Sequence, residues 1–591
     1  MIEFPEYRDP RTLLSSINMI AEEEFFSVLD AEVAASALRS ASATASKLER
    51  DWIMIAVAAC HRKTRSGHSH LDLIQPEPDL MKHLECWPDQ EFWIDAFSKF
   101  DSSDTRLPIL WEPPRYLYLR KLWNFETGLS TALASRATIV APTRPGSETD
   151  IPATLFEGCS GDQQQAIRAV VEKSLILLSG GPGTGKTFTV LRCLAALLSQ
   201  QPEARIALLA PTGKAVARLN ASISQGLEHL QVSETIKARI PVSARTIHRF
   251  LNEIDTHRGG NFIPYPPAVF DWVFIDEVSM VDLRLMKRLL DAIPDPCRLF
   301  MLGDVHQLAS VEPGSVFSDL YQTVDQDLPA TTGFQTIELE ENFRFSIDSP
   351  IHRLCEAVKA GNWQMVNALL DDPASQMSID CCAPEQPDTN RILDCWIADR
   401  LIEPLLTPEP ETALRQFRES MLLCATNRGR VGVETLNARI RQRLEGVCHS
   451  RGLSAYWSPV LITQNDYRND LFNGDIGLQR LSLRDAEDAG QVVFERNNSL
   501  YRISRTQLPA HTDAFALTVH KSQGSEADHV MILLPEADSP VLTRELLYTA
   551  LSRAKTRLSL IASPESIGRA VQQRTERNSR LGQKLHARLA S

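Results

Sequence analysis

The chain has no run near the ~20 consecutive apolar residues that a membrane-spanning helix needs. Its densest apolar stretches, LILLSG and VMILLP, are strand-sized, so no membrane segment is expected. Cysteine is unpatterned: eleven residues, no C-x-x-C spacing, and Cys381 beside Cys382. That excludes a disulfide scaffold or a zinc ribbon and reads as the reduced thiols of a cytoplasmic protein. The opening MIEFPEYRDP is acidic without an apolar core, so no secretory signal is read. No Asp/Glu-x-Lys tripeptide occurs, which removes the carboxylate–lysine signature of a metal-dependent nuclease. With 27 Gly and 34 Pro among 591 residues, 43% hydrophobic and 23% charged, collagen-like and disordered classes are excluded as well. At roughly 150 residues per domain, such a length predicts about four domains.

Charge is more informative by position than in total. The net value of −13 argues against non-specific coating of nucleic acid. Residues 1–100 carry 10 Lys/Arg against 17 Asp/Glu, whereas residues 541–591 carry 10 against 3. One end suits a protein partner and the other a polyanion; two differently solvated surfaces explain the same numbers.

Apolar residues at three- to four-residue spacing in AEEEFFSVLDAEVAASALRSA and ERDWIMIAVAACHRK predict a mostly helical region over 1–125. The aromatic segment RLPILWEPPRYLYLRKLWNFE follows and suggests a short strand pair. Pro, Ser, Thr and Gly crowd APTRPGSETDIP, and a linker is expected over 126–152. Beyond it, strand-sized runs alternate with helical stretches: LILLSG, RIALLA, WVFIDE and RLFMLGD, then MLLCAT, HVMILLP and LSLIAS. Such alternation implies parallel sheets of the α/β class, in two lobes at 153–335 and 336–591. A finer alternation with turns at LFNGDIG and ERNNSL predicts a small β-insertion at about 450–512, and a second insertion is placed near 251–269.

The sharpest signal is Gly180-Gly181-Pro182-Gly183-Thr184-Gly185-Lys186-Thr187, between a strand and a helix. This is the phosphate loop, G-x-x-x-x-G-K-[ST]: glycines turn backbone N–H groups inward around phosphates, and the helix N-terminus adds positive potential. Lys186 then neutralises phosphate oxygens and Thr187 offers a hydroxyl to Mg²⁺. Asp276-Glu277 closes the apolar strand WVFI, where one carboxylate can hold Mg²⁺ and the other polarise water; by itself such a pair is common on surfaces. Gln307, beyond Gly303-Asp304, can sense a γ-phosphate or be an ordinary loop amide. Gln163 can pair with the edge of adenine.

GDQQQAI, SGGPGTGKT, APTGKAVARL, ARTIHRFL, FIDEVSMVD, LGDVHQL, ELEENFRF, ALTVHKSQGSE and LLYTALSRAK stand in the order of the superfamily 1 helicase motifs. TIHRFL, LFNGDIG, TVHKSQGSE and ELLYTALSRAK resemble the RecD branch, and RYLYLRKLWNFE is similar to the RecD subunit of RecBCD, exodeoxyribonuclease V. The resemblance covers about 160–575. It implies two RecA-like P-loop lobes, an SH3-like β-insertion in the second, and a helical N-terminal domain that docks a partner. It also implies an ATP-dependent 5′→3′ DNA helicase using ATP and Mg²⁺, with RecB and RecC as partners in double-strand break repair and the nuclease centre in RecB.

By the same resemblance, Lys186 and Thr187 bind phosphate and Mg²⁺, Asp276 the metal, Glu277 activates water, and Gln307 couples the γ-phosphate to movement. Arg344 and Arg553 reach across from the second lobe as arginine fingers, and Gly524 and Glu526 touch the nucleotide. DNA contacts fall on Pro211, Thr212, Gly213, Thr246, His248, Thr518 and His520, with Asn473-Gly474-Asp475 in an insertion that can touch the strand. Locally, Thr246 also reads as a helix cap and either histidine as a buried, satisfied one. Residues 251–269 are a candidate duplex-splitting hairpin. Asn342-Phe343 departs from the Ser/Thr-Tyr type pair of relatives, which puts adenine stacking there in doubt. An assembly subunit with a regulatory nucleotide site, and an RNA-directed motor, are the competing readings.

Overall fold

A computed structural model describes residues 26–39, 45–76, 78–81, 86–99, 107–138, 151–258, 270–293, 295–310, 312–324, 332–344, 349–372, 374–375, 379–383, 388–466, 468–483, 490–496, 499–575 and 577–590. The proposed hairpin therefore lies largely outside the described residues, and its first part continues the helix Ile247–Arg258.

The N-terminal region packs the helices Val28–Arg39, Lys47–Arg65 and Gln90–Ser98 against an antiparallel sheet of β1 (His70–Asp72), β2 (Ile109–Glu112) and β3 (Tyr116–Leu119). Its core is mainly aliphatic and carries one aromatic stack: Trp93, fully buried, stacks on Phe97, which in turn stacks on Trp111.

Lobe one is a six-stranded parallel sheet in the order β6-β5-β7-β8-β4-β9. Its strands are β4 (Leu175–Gly180), β5 (Ile206–Ala210), β6 (Arg245–Thr246), β7 (Trp272–Ile275), β8 (Arg298–Gly303) and β9 (Phe334–Leu339). The continuous apolar run of β4 reflects cover on both faces. Ile176 and Leu178 face one cluster with the helix Lys186–Gln200, while Leu175 and Leu177 face another with the helix Leu283–Ala292.

Lobe two is a five-stranded parallel sheet, β10-β19-β18-β11-β17. It comprises β10 (Ile379–Cys382), β11 (Ser420–Cys424), β17 (Ala516–Thr518), β18 (Ala527–Leu533) and β19 (Ala554–Ile561). Where the small β-module is expected stands an antiparallel sheet, β15-β14-β13-β12-β16. It is built from β12 (Ala455–Ile462), β13 (Ile476–Ser482), β14 (Gln491–Arg496), β15 (Ser499–Ser504) and β16 (His511–Asp513), and has its own core around Val460, Val492 and Phe494.

Three expected boundaries move. The cut at 125/126 falls inside the helix Arg120–Ala137, whose Leu129, Leu133 and Ala137 enter the lobe-one core. The cut at 335/336 falls inside β9, which pairs along β4. The chain end does not belong with lobe two: Leu581 and Leu585 of the helix Leu581–Ala590 pack into lobe one.

Its cations meet the N-terminal region. Glu126, fully buried, accepts hydrogen bonds from Ser69 Oγ (2.7 Å), Tyr118 OH (3.1 Å) and the Arg580 N–H (2.9 Å), and pairs with Lys584 Nζ at 2.9 Å. Arg580 also bridges to Glu112 at 2.7 Å and lies over the Tyr116 ring. Two cations of the basic end thus meet the carboxylates of Glu112 and Glu126, which lie beyond the acidic stretch of residues 1–100. Arg580 and Lys584 therefore serve as internal docking cations.

Candidate active site

The phosphate loop leaves the buried β4 and ends on the helix Lys186–Gln200. Gly183 and Gly185 hold φ of +89° and +78°, a conformation that glycine adopts without strain. The Lys186 ammonium donates to the carbonyls of Gly180 at 2.5 Å and Gly181 at 3.2 Å. Thr184 Oγ1 donates to the Gly181 carbonyl at 2.9 Å, so the loop is internally braced. A further brace comes from beyond β9: Asn342 Nδ2 donates to the Pro182 carbonyl and the Phe343 N–H to the Gly183 carbonyl, both at 2.9 Å.

Gln163 lies against the phosphate loop. It is buried, its Oε1 accepts from the Ser160 N–H at 3.2 Å in a capping box, and its Nε2 donates to the Thr184 carbonyl at 3.2 Å. Both ends of the amide stabilise the loop, which leaves its adenine-reading groups engaged here.

Asp276 and Glu277 follow β7, the strand two places from β4 in the sheet. Burial, and then the Glu277 charge, push the Asp276 carboxyl above the ordinary range, with Lys186 opposing them. Asp276 Oδ1 accepts from the Glu277 N–H at 2.9 Å, and Glu277 stands in the left-handed region at φ +53°, a strained position for a non-glycine residue. Gln307 is buried and donates to Asp304 Oδ2 at 2.9 Å. Tyr548 of lobe two donates to the same oxygen at 3.2 Å, and Thr549 Oγ1 accepts from the Leu308 N–H at 2.9 Å.

The arginines arrive from two places. Arg344 lies in the segment after β9, beside Gly183, not in the body of lobe two. Its Nη2 donates to Glu526 at 2.8 Å, and its buried Nη1 has no hydrogen-bond partner among the described residues. Arg218 of lobe one donates to the same Glu526 oxygen at 3.0 Å. Burial alone raises the Glu526 carboxyl, but Arg218 and Arg344 outweigh it and hold it below its ordinary range. Glu526 is therefore an interlobe clasp for two guanidiniums rather than a free nucleotide contact. Gly524 turns at φ +71° two residues earlier.

Arg553 does come from lobe two. It is buried and donates to the Thr549 carbonyl (2.9 Å), the Ser525 carbonyl (3.2 Å) and Ser552 Oγ (3.0 Å). Burial disfavours its charge, and Glu277, then Glu526, are the carboxylates that most oppose that effect.

The expected DNA contacts sit at the carboxyl ends of strands, the edge where parallel sheets carry their sites. Pro211, Thr212 and Gly213 follow β5, Thr246 ends β6, and Thr518 ends β17 with His520 beyond it. Three hydroxyls cap turns here: Thr212 accepts from the Ala215 N–H, Thr246 from Arg249 and Thr518 from Lys521, at 3.2, 3.2 and 3.3 Å. His248 is exposed; His520 is part-buried, and its imidazole is held below its ordinary pKa by burial, then by Arg577. Phe472 of the β-insertion lies against Gly213, leaving no room for a side chain there, while Asn473, Gly474 and Asp475 form the adjoining turn. Lys214 bonds to Ser525 Oγ and lines, with Arg218, Arg418 and Glu526, a cavity of about 340 Å³ between the lobes. Burial, then Arg418, lowers the Lys214 ammonium to about 8.

Arg218, Lys214 and Tyr548 are not singled out from sequence, and Asn342 only as half of a pair that departs from relatives. All four lie within the motif segments ENFRF, APTGKAVARL and LLYTALSRAK, so membership of a motif is the available signal.

Comparison with known proteins gives the family. The chain is 33% identical over 553 residues to the RecBCD enzyme subunit RecD of Mycolicibacterium smegmatis, covering 90% of this chain and 93% of that one. The chain belongs to the RecD family. It is also 26% identical to an ATP-dependent RecD2 DNA helicase of Deinococcus radiodurans, over 89% of this chain and 67% of that one. An AAA domain model matches residues 163–313 and a UvrD-like helicase C-terminal domain model matches 513–561, one in each lobe of this RecD-family chain. Among solved structures, a Pif1 helicase from Bacteroides with ADP-AlF3 and single-stranded DNA covers 69% of this chain and 94% of its own at 18% identity and a TM-score of 0.38. Among the described residues, no helix is long and apolar enough to cross a membrane.

Proposed function

We propose that this RecD-family chain is an ATP-dependent 5′→3′ DNA helicase subunit that works with RecB- and RecC-type partners on single- and double-stranded DNA ends in double-strand break repair. The carrying observation is convergence. The phosphate loop, Asp276 and Glu277 of lobe one meet Arg344 of the connecting segment and Arg553 of lobe two in one cleft, where Arg553 is under the influence of Glu277. A ligand held there couples chemistry to lobe movement.

The residues suit Mg²⁺-ATP. The loop glycines free N–H groups for phosphate, and Arg344 Nη1, without a partner among the described residues, is a buried donor for an acceptor. Thr187 and Asp276 offer the few oxygen ligands that Mg²⁺ takes when phosphates and water complete its shell, and no cluster of three His, Cys, Asp or Glu occurs among the described residues. Bound Mg²⁺ supplies charge neutralisation at the phosphates. Lys186 exchanges its carbonyl partners for phosphate oxygens, Glu277 orients and polarises the attacking water, and Gln307 senses the γ-phosphate. Arg344 and Arg553 bring positive charge to the transition state. The strand runs along the edge formed by Pro211–Gly213, Thr246, His248, Thr518 and His520, with contacts to phosphate rather than bases.

The N-terminal region up to the helix Arg120–Ala137 is assigned to partner docking, and the nuclease centre to the RecB-type partner. The eleven free cysteines fit a reducing, cytoplasmic setting. Lys186→Gln tests the assignment: a folded variant without DNA-stimulated ATP hydrolysis is expected, and retained hydrolysis refutes it. Equal stimulation by RNA and DNA oligonucleotides overturns the choice of strand.

A further inference from the structure

Asp304 is 1% and Tyr548 4% exposed, yet they belong to different lobes. The carboxylate follows β8 of lobe one, and the phenol lies on the helix Arg544–Leu551 of lobe two. Asp304 Oδ1 is engaged by the His306 N–H at 3.0 Å. Oδ2 receives two donors, Gln307 Nε2 at 2.9 Å and Tyr548 OH at 3.2 Å. Burial, then the Asp304 charge, raise the phenol well above its ordinary pKa, so it remains a donor. The same hydroxyl also rests on the phosphate loop, where a Cβ on Gly181 would lie 2.8 Å from it.

One buried oxygen therefore joins an amide of lobe one, a hydroxyl of lobe two and the wall of the phosphate loop. We propose that Tyr548 is a positioning residue for hydrolysis: it fixes Asp304, and through Asp304 the Gln307 amide, in a way that depends on how lobe two is seated. This deepens the reading of Gln307 as the γ-phosphate sensor and rests on it. When Gln307 turns toward phosphate, Asp304 Oδ2 keeps Tyr548 as its remaining side-chain donor, and a buried carboxylate is costly to leave without one. Motion of lobe two that withdraws the hydroxyl returns the amide to Asp304. Hydrolysis is thereby tied to the closed cleft. The neighbouring hydrogen bonds from Leu308 N–H to Thr549 Oγ1 and from Gln523 Nε2 to the Leu308 carbonyl, both 2.9 Å, give the same loop two further ties to lobe two.

Tyr548→Phe keeps the ring and removes the hydroxyl. Loss of a hydrogen bond to a charged group corresponds to roughly a ten-fold or larger effect. In the full-length chain with a single-stranded DNA oligonucleotide, kcat for ATP hydrolysis is expected to fall about ten-fold while KM for ATP changes less than two-fold. The thermal midpoint should be preserved. Because both groups act through one oxygen, Tyr548→Phe added to Gln307→Ala should lower kcat no further than Gln307→Ala alone. Full additivity of the two, or an unchanged kcat in Tyr548→Phe, overturns the proposal and leaves Tyr548 as packing. If the wild-type chain shows no DNA-stimulated hydrolysis, or Lys186→Gln retains it, the underlying motor reading fails instead, so the two failures are distinguishable.

Discussion

Glu126 holds the C-terminal helix, and Glu126→Gln measures how firmly. The native carboxylate receives Ser69, Tyr118, the Arg580 N–H and Lys584, whose side chain is 10% exposed. The amide offers one acceptor oxygen, and its NH₂ faces donors on the other side. The Lys584 ammonium loses its buried counter-charge, although Glu112 at 3.8 Å partly remains. Breaking a buried ion pair costs roughly 3–5 kcal/mol; with Glu112 near, about 3 kcal/mol is expected. That is a change of roughly a hundred-fold in the opening equilibrium of the tail. Amide hydrogen exchange reads it directly, because sub-global opening has its own free energy. Amides of Leu581–Ala590 should exchange about a hundred-fold faster, while those of Lys186–Gln200 stay unchanged. Adding Lys584→Met should recover much of the loss, because the orphaned charge is gone. Exchange of the tail within three-fold of wild type would refute the claim that this carboxylate fastens it.

Two further outcomes are expected. Asn342→Ala removes the 2.9 Å hydrogen bond to the Pro182 carbonyl, a loss of about 1 kcal/mol, so KM for ATP should rise about three- to ten-fold with the melting midpoint unmoved; an unchanged KM contradicts the bracing role. Acid should loosen the tail through His68, whose Nδ1 accepts from the Asn578 N–H at 3.0 Å and whose pKa falls from 6.5 to about 3, by burial first. The neutral form is the docked one, so this contribution is complete above pH 6.5 and is lost as pH falls toward 3. Tail opening, corrected for intrinsic exchange, should rise about ten-fold between pH 7.5 and 5.5. Glu126 acts lower: burial raises its carboxyl, but the Lys584 charge and the hydrogen bonds from Ser69, the Arg580 N–H and Lys584 together outweigh burial and depress its pKa, so its contribution persists until pH falls below about 4.5. Tail exchange that is flat down to pH 5 contradicts the role of His68.

What could be read from the sequence follows the range of the forces involved. The phosphate loop is local: its glycines, lysine and threonine are contiguous, and their spacing suffices. Long buried strands such as β4, β8 and β18 announce themselves as apolar runs. β6, with two residues, and β17, with three, leave no such run, and β9 reads FQTIEL with polar positions interleaved. Contacts between distant segments were not legible. Gln163 and Glu526 were singled out from their motifs, but the capping box of one and the two guanidiniums on the other depend on side chains brought together by folding. Sequence order groups the helix Leu581–Ala590 with lobe two, which it follows; the packing of Leu581 and Leu585 carries it back to lobe one, and the Glu126–Lys584 pair ties it to the N-terminal region.

Nucleotide between the lobes should draw both arginines to its terminal phosphate. A crystal structure of the full chain with a non-hydrolysable ATP analogue, Mg²⁺ and single-stranded DNA tests it most directly. Arg344 is expected released from Glu526, Arg553 turned from the Thr549 and Ser525 carbonyls, and both guanidiniums within hydrogen-bonding distance of the γ-phosphate that Lys186 holds. Both arginines remaining on their present partners with the analogue in place would contradict it.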